Sequence, residues 1–367
     1  MADEAGAVGA AAGDVLTLHE FITAARRRLD RNIWDYLVGG TETETTLRRN
    51  RLALDSIAFR PRVLADVSRI DAGGAFLGRS VPMPVALAPV GSLESFEPGG
   101  GATVAVAAAR AGVPLFVSSV TAPGLEATAQ AADGPKVFQL YVRGGDDFVD
   151  EHVRRAVDAG YMAFCITVDT ALYSRRERDI AKRFAKTWRD RHAGMEFQAA
   201  FDWSKAARFR DRHHDVPLIL KGIATAEDAA RACELGVAAV YVSNHGGRQL
   251  DHGRGALDVL PEVVEAVAGR ARIIIDGGFS RGTDIVKAIV LGADTVAVGR
   301  LYLYGLAGYG AAGVARVLEI LQGEIETTLG LLGVESFAQL DRSYLYPAPP
   351  VWPTHVHSAF PLLAEDY

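Results

Sequence analysis

Ala238-Ala239-Val240-Tyr241-Val242 leads without a break into Ser243-Asn244-His245-Gly246-Gly247-Arg248-Gln249. The apolar, partly β-branched run reads as a buried strand, so the polar string begins where that strand ends. His245 titrates near neutrality and offers a base, while Arg248 presents the planar fork that grips a carboxylate. The glycines between them let a flat ligand approach the backbone. Taken alone, His-Gly-Gly-Arg reads equally as a polar turn after a core strand. Its context weighs against that reading, because an apolar strand closed by polar residues recurs along the chain.

Strand-like runs are predicted at Val81–Pro89, Pro114–Ser118, Lys136–Val142, Ala163–Val168, Val216–Lys221, Ala238–Ser243, Arg272–Asp276 and Thr295–Gly299. Helix-period segments lie between most of them, for example Asp147–Ala159, Ala226–Leu235, Leu257–Ala268 and Thr283–Leu291. Gly112, Gly160, Gly236 and Gly292 stand where left-handed C-caps belong. About eight parallel strands, each followed by a helix, is the layout of an α/β (β/α)8 TIM barrel of typically ~250 residues. A doubly wound open sheet is the alternative, but no early strand is followed by Gly-x-Gly-x-x-Gly. The barrel domain is expected over 15–345. Around it we expect a disordered Ala/Gly-rich tail at 1–14, helical periodicity at Leu16–Arg31 and an amphipathic stretch at Trp34–Arg51. A lid is expected at about 174–214, after the fourth strand. An irregular C-terminal tail at 346–367 is expected to pack on its own or a neighbouring subunit.

Composition removes several function classes. The chain has 367 residues, 49% hydrophobic and 23% charged, with a net charge of −6. No Lys/Arg block offers a surface to nucleic acid, so a small-molecule partner is expected. No run approaches the ~18 apolar residues of a membrane span. Cys165 and Cys233 are the only cysteines, the usage of a reducing compartment, and no signal peptide is visible at the N-terminus. A cytoplasmic protein is expected.

Chemistry in this fold sits at the C-terminal ends of the strands. Those ends carry Pro89-Val90-Gly91, Ser118-Ser119, Gln139-Leu140-Tyr141, Thr167-Val168-Asp169, Lys221-Gly222, Ser243-Asn244-His245, Asp276-Gly277-Gly278 and Gly299-Arg300. A single polar residue closing a strand is an ordinary cap, but polar closure of nearly every strand on one rim points to a site. Asp276-Gly277-Gly278-Phe279-Ser280-Arg281-Gly282 follows the seventh strand and opens a helix, and Gly299-Arg300 follows the eighth. Barrels bind phosphate there through backbone N–H groups and helix N-termini, which implies a phosphate-bearing cofactor.

These residues resemble the FMN-dependent 2-hydroxy acid oxidases and dehydrogenases, from about Leu16 to Leu340, with Ser243–Gln249 as the most specific match. Further matches are Asp35-Tyr36, Phe59-Arg60-Pro61-Arg62, Phe138-Gln139-Leu140-Tyr141, Thr167-Val168-Asp169-Thr170, Arg175-Arg176, Leu220-Lys221-Gly222 and Asp276-Gly277-Gly278. The resemblance implies FMN as cofactor, a 2-hydroxy acid as substrate, oxygen or another electron acceptor, and a homo-oligomer, tetramer or octamer. By the same resemblance His245 is the active-site base, oriented by Asp169, and Arg176 and Arg248 hold the substrate carboxylate with the hydroxyls of Tyr36 and Tyr141. Lys221 lies by the flavin ring. Ser118, Gln139, Thr167 and Ser243 bond the ring or ribityl chain, and Pro89, Val90 and Gly91 line the ring. Asp276, Gly277, Gly278, Ser280, Arg281, Gly299 and Arg300 hold ribityl and phosphate.

From the residues alone, Tyr36 and Tyr141 are equally fit to fill packing gaps, and Arg176 belongs to a basic run with Arg175 and Arg178. Lys221 is different, since a lysine closing a core strand is costly without an anion. His213, His214, His252, His355 and His357 read as surface or lid residues. The chain also departs from the family pattern. Oxidases of small acids carry an aromatic residue where this chain has Val120, and hydroxymandelate oxidase-like members share the small residue, so a larger substrate of mandelate type is expected. Gly91 replaces an alanine common in oxidases and leaves the acceptor open. Ser280 replaces a phosphate-binding arginine, a load left to Arg281 or Arg300, and the lid is short. Non-redox chemistry on an FMN barrel, in a biosynthetic pathway, and a non-catalytic FMN-binding protein are the other readings. Retention of Arg176, Arg248, His245 and Tyr36 disfavours both.

Overall fold

The barrel strands in the computed structural model, which describes residues 11–183, 194–351 and 353–365, follow the apolar runs of the sequence. They are β1 (Val85–Leu87), β2 (Leu115–Ser118), β3 (Lys136–Leu140), β4 (Ala163–Thr167), β5 (Leu218–Ile223), β6 (Ala239–Val242), β7 (Arg272–Ile275) and β8 (Thr295–Val298). They pair in parallel and close into a barrel, β8 returning to β1 through Val296 opposite Val85. Side chains alternate across each strand. Ala239 and Tyr241 of β6 point into the barrel with Phe116, Cys165 and Ile219, whereas Val240 and Val242 pack outward under the helices. Both faces are buried, which is why the strands read as continuous apolar runs.

The first expected strand divides in two. Arg79–Val81 pairs with Gly74–Phe76 in a hairpin, and the barrel strand begins only at Val85, beyond Pro82 and Pro84. Those prolines break the ladder. The hairpin closes one end of the barrel, with Phe76 buried edge-on against Phe116 at a centroid separation of 5.9 Å.

Three helices precede the barrel: α1 (Leu18–Arg28), α2 (Arg31–Val38) and α3 (Thr45–Asp55). The stretch expected at Trp34–Arg51 is broken from Gly39-Gly40 to Glu44, so it forms two helices in place of one. Helices α4 (Gly100–Ala111), α5 (Leu125–Gln130) and α6 (Asp146–Asp158) follow β1, β2 and β3. After β4 come the short helices α7 (Glu177–Ala181) and α8 (Met195–Ala199), then α9 (Trp203–Arg212). The lid expectation to His214 therefore reached too far. Helix α9 belongs to the outer ring, burying Phe209 against Phe164 of β4, and residues 184–193 of that segment lie outside the described residues. Helices α10 (Ala226–Glu234), α11 (Ala256–Val267), α12 (Gly282–Val290) and α13 (Arg300–Leu332) complete the ring, the last broken at Tyr309 and Gly310. Gly112, Gly160, Gly236 and Gly292 all take positive φ at the helix ends.

Both chain ends depart from expectation. Residues 1–10 lie outside the described residues, but Ala12–Asp14 forms a 3-10 turn with Ala12 buried, in place of disorder. In the C-terminal segment, Leu345–Pro347 pairs with Ile57–Phe59 and Phe360 is buried against His19, so the segment packs on its own subunit.

A buried ion pair ties α3 to the barrel. Arg51 donates to both carboxylate oxygens of Asp284 at 2.7 Å, with the two side chains 5% and 1% exposed. Burial pushes the Asp284 carboxyl up, but Arg51 outweighs it and holds it below the ordinary value. Arg51→Met should cost ~3–5 kcal/mol by stranding a buried charge. The double variant with Asp284→Leu should recover much of that loss in urea unfolding.

Candidate functional site

Strand parity builds the site. Two residues beyond the inward Phe116, Val137, Cys165, Ile219, Tyr241 and Ile274 come Ser118, Gln139, Thr167, Lys221, Ser243 and Asp276. Each inherits the inward direction, so an apolar barrel interior ends in a polar layer at the C-terminal mouth. Above it opens a cavity of about 710 Å³, within the range of small-molecule and cofactor sites.

His245 sits in this cavity on a left-handed backbone, φ 59°, an uncommon conformation for a residue with a side chain. Its Nδ1 lies 3.1 Å from Asp169 Oδ1 and its Nε2 3.2 Å from the Tyr141 hydroxyl. Burial raises the Asp169 carboxyl, but His245 and then Lys221 outweigh it and keep it ionised. An ionised carboxylate only accepts, so Nδ1 carries the hydrogen and Nε2 presents a lone pair to the cavity. Burial lowers His245 below its ordinary value despite Asp169, which makes the neutral, proton-accepting form the resting one. Tyr141 is pushed up by burial and then by Asp169, and stays a phenol that donates to Nε2.

Two arginines converge on the same space. Arg248 spends Nη1 on the carbonyls of Tyr36 (2.7 Å) and Gly39 (2.8 Å), and its guanidinium lies 4.8 Å from the Tyr36 ring centroid. Its Nη2, and Nε of Arg176, are buried without a hydrogen-bond partner among the described residues. Burial and then Arg176 push Arg248 down to about 9, still protonated at neutral pH. Unspent donors on two adjacent cations are a receptor for a carboxylate.

Beneath them Lys221 is held at 2.8 Å by the Ser243 hydroxyl and at 3.2 Å by Asp276. Burial lowers Lys221, but Asp276 and then Asp169 outweigh it, so the ammonium persists. Ser243 also donates to Asp276 (2.6 Å) and accepts from the His245 backbone N–H (3.0 Å). With those bonds made, Ser243 positions Lys221 and His245 and does not line the cavity. Gln139 donates Nε2 to Thr167 Oγ1 at 2.9 Å, and its Oε1 is buried without a partner. Gln198 of α8 closes the rim, accepting from Val142 N–H (2.7 Å) and donating to the Thr167 carbonyl (3.0 Å).

This set fits FMN. An unpartnered amide oxygen and a fixed cation suit the polar edge of the ring, and α13 opens without a side-chain cap at Gly299, which lines the cavity with Gly277 and Gly278. Tyr36, Pro89, Val90, Gly91, Tyr141, Arg176, Ser280 and Arg300 line it as well, while Ser118, Gln139, Thr167 and Asp169 stand behind its wall. Arg281 does not line it, because its guanidinium pairs with Glu324 and donates to the Ala359 carbonyl. Phe96, Met195, Tyr304 and Val356 line the cavity unanticipated, since none ends a strand. His357, expected at the surface, is packed at 5.7 Å from Trp34 and hydrogen-bonded to Tyr304. His213 likewise has a partner, Asp150, at 2.7 Å.

Comparison with known proteins gives the family. A family model for FMN-dependent dehydrogenases matches residues 25–193 and 183–347. Glycolate oxidase 1 of Oryza sativa subsp. indica is 37% identical over 355 residues, spanning 91% of this chain and 96% of the relative. A mandelate oxidase variant solved with 2-hydroxy-phenylacetamide gives a TM-score of 0.85 at 38% identity, covering 92% of this chain and 100% of the other. A variant of an active (S)-mandelate dehydrogenase chimera gives 0.83 at 34%, covering 90% and 99%. A mandelate oxidase variant with a C4a-OH-FMN adduct gives 0.81 at 39%, covering 87% and 96%. The chain belongs to the FMN-dependent dehydrogenase family, and is an FMN-carrying oxidoreductase that oxidises 2-hydroxy acids.

Proposed function

We propose that the substrate is an L-2-hydroxy acid with a large or aromatic side chain, of mandelate type, oxidised to the 2-oxo acid. The observation that carries this reading is the apolar wall sharing the cavity with His245: Phe96, stacked on Tyr36 at 6.0 Å, together with Val120 and Met195. Val120 leaves open a volume that an aromatic side chain would fill.

Arg176 and Arg248 hold the substrate carboxylate, which sets the α-carbon beneath Nε2 of His245. The imidazole then takes the proton from the 2-hydroxyl or the α-carbon, and Asp169 stabilises the resulting imidazolium. Bound FMN supplies the electron-accepting chemistry. The Tyr141 hydroxyl, already within reach of Nε2, keeps the imidazole aimed at the substrate. Two further features support the surroundings we propose. Cys165 and Cys233 are free thiols, as suits the cytoplasm. Val63, Leu64 and Leu331 are 81%, 103% and 73% exposed, apolar surface that suits a homo-oligomer.

Removing the base in His245→Ala should lower kcat ~10²–10⁴-fold with FMN still bound. Arg248→Lys should chiefly raise KM, because an ammonium cannot reproduce the fork. Stopped-flow flavin reduction separates the two.

The pH profile follows from the sign of the shift. His245 works when neutral and is lowered from 6.5, so kcat/KM should hold at neutral pH and fall only below that value. Asp169→Asn removes a charge that raises His245, and should move the acid limb to still lower pH while reducing kcat.

For substrate choice, anaerobic flavin reduction by mandelate should exceed that by glycolate in kcat/KM. Val120→Trp should shift the preference toward glycolate by ~1–3 kcal/mol. Faster reduction of the wild-type enzyme by glycolate would overturn the proposed substrate class.

A further inference from the structure

The C-terminal segment crosses the molecule at one end of the cavity. Arg281, the N-cap residue of α12, donates Nη1 to the Ala359 carbonyl at 3.3 Å. Tyr304, one turn past Arg300 in α13, lies 3.1 Å from His357 Nε2 through its hydroxyl. Phe360, 2% exposed, meets His19 of α1 edge-on at 5.6 Å. The segment therefore spans from the head of α12 to the head of α13, and the latter, uncapped at Gly299, is a helix N-terminus suited to a phosphate. Between those anchors Val356 and Tyr304 both line the cavity.

The cations at this end are already engaged. Arg281 pairs with Glu324, Arg51 with Asp284, and Arg300 donates to the carbonyls of Leu37 (3.0 Å), Gly246 (3.0 Å) and Gly39 (2.9 Å). The Ser280 and Arg281 amides, at 2.9 and 3.1 Å, serve the Asp284 carboxylate. A phosphate here relies on the amides opening α13, which no side chain caps, and their strength depends on how well water is kept out. Burial, then His355 and Arg300, push His357 down to about 4. It is neutral at physiological pH and accepts from Tyr304, so the segment adds an apolar cover without a charge of its own.

We propose that residues 353–363 close the phosphate end of the FMN site, with Val356 and the Tyr304–His357 pair as the cover that shields the cofactor phosphate from water. This rests on the assignment of the cavity to FMN. FMN and riboflavin share ring and ribityl chain and differ in the phosphate, so the pair isolates the end in question.

Flavin fluorescence quenching of apoprotein measures both affinities. Deletion of residues 351–367 should weaken FMN about tenfold, the scale of one or two lost shielded hydrogen bonds, and leave riboflavin within about twofold. Because Phe360 is a core residue, the full-length chain provides a second measurement that needs no variant. Amide hydrogen exchange across 353–365 should slow about tenfold with FMN and change little with riboflavin. Equal responses to the two flavins, or no response to either once bound, would overturn the role of the segment. A full-length chain that binds neither flavin would overturn the cofactor assignment and this role with it.

Discussion

Everything at the mouth of the barrel depends on the two-residue period of its strands. The period sends alternate side chains inward and cannot be changed locally without turning a whole strand over. Lys221 is inward because Ile219 is inward, and Ser243 because Tyr241 is. The cofactor layer is thus an extension of the core, and its positions are as rigid as the packing below them. Phe116, in edge contact with both Phe76 and Tyr241, links the plugged end of the barrel to the layer just under the site.

On that scaffold the charges are arranged by role. Lys221 and Asp276 form a compensated pair, and Ser243 joins them to the His245 backbone, so a disturbance of one reaches the others. Asp169 and His245 form a second pair in which burial keeps the imidazole neutral. Arg176 and Arg248 have no carboxylate partner among the described residues, and each keeps a buried nitrogen without a hydrogen bond, an imbalance that marks where a charged ligand belongs. The cost of holding Arg176 and Arg248 together is met by folding the chain around them. Tyr36 and Gly39 carbonyls draw off part of the Arg248 charge, and Tyr173 offers Arg176 an aromatic face at 4.9 Å.

The barrel, its strand ends and most of the site were legible in the sequence, for a physical reason. A strand buried on both faces shows as an apolar run, and its end shows as a sudden change to polar residues. What was not legible came from elements without such a period. Phe96, Met195 and Val356 reach the cavity from loops or from short helices whose placement depends on tertiary contacts. His357 has no local pattern to separate it from His355, yet one is half-buried against Trp34 and the other lies at the surface. The long lid expectation failed at Phe209 because a basic, polar-looking stretch hid a ring helix with only Ala206 and Phe209 buried. Strand β1 was set too early because Val81 looks continuous with Val85 unless the flanking prolines are given their full weight as breakers.

The carboxylate receptor has a consequence for flux. A 2-hydroxy acid and the 2-oxo acid made from it carry the same carboxylate and the same side chain. In the proposed roles, Arg176 and Arg248 would recognise the first of these and the apolar wall the second, and both would treat reactant and product alike. In the same proposed roles, discrimination would fall to His245 and Tyr141 at the one oxygen that changes. An enzyme with those roles would be slowed by its own product, and its throughput would follow the rate at which the 2-oxo acid is removed.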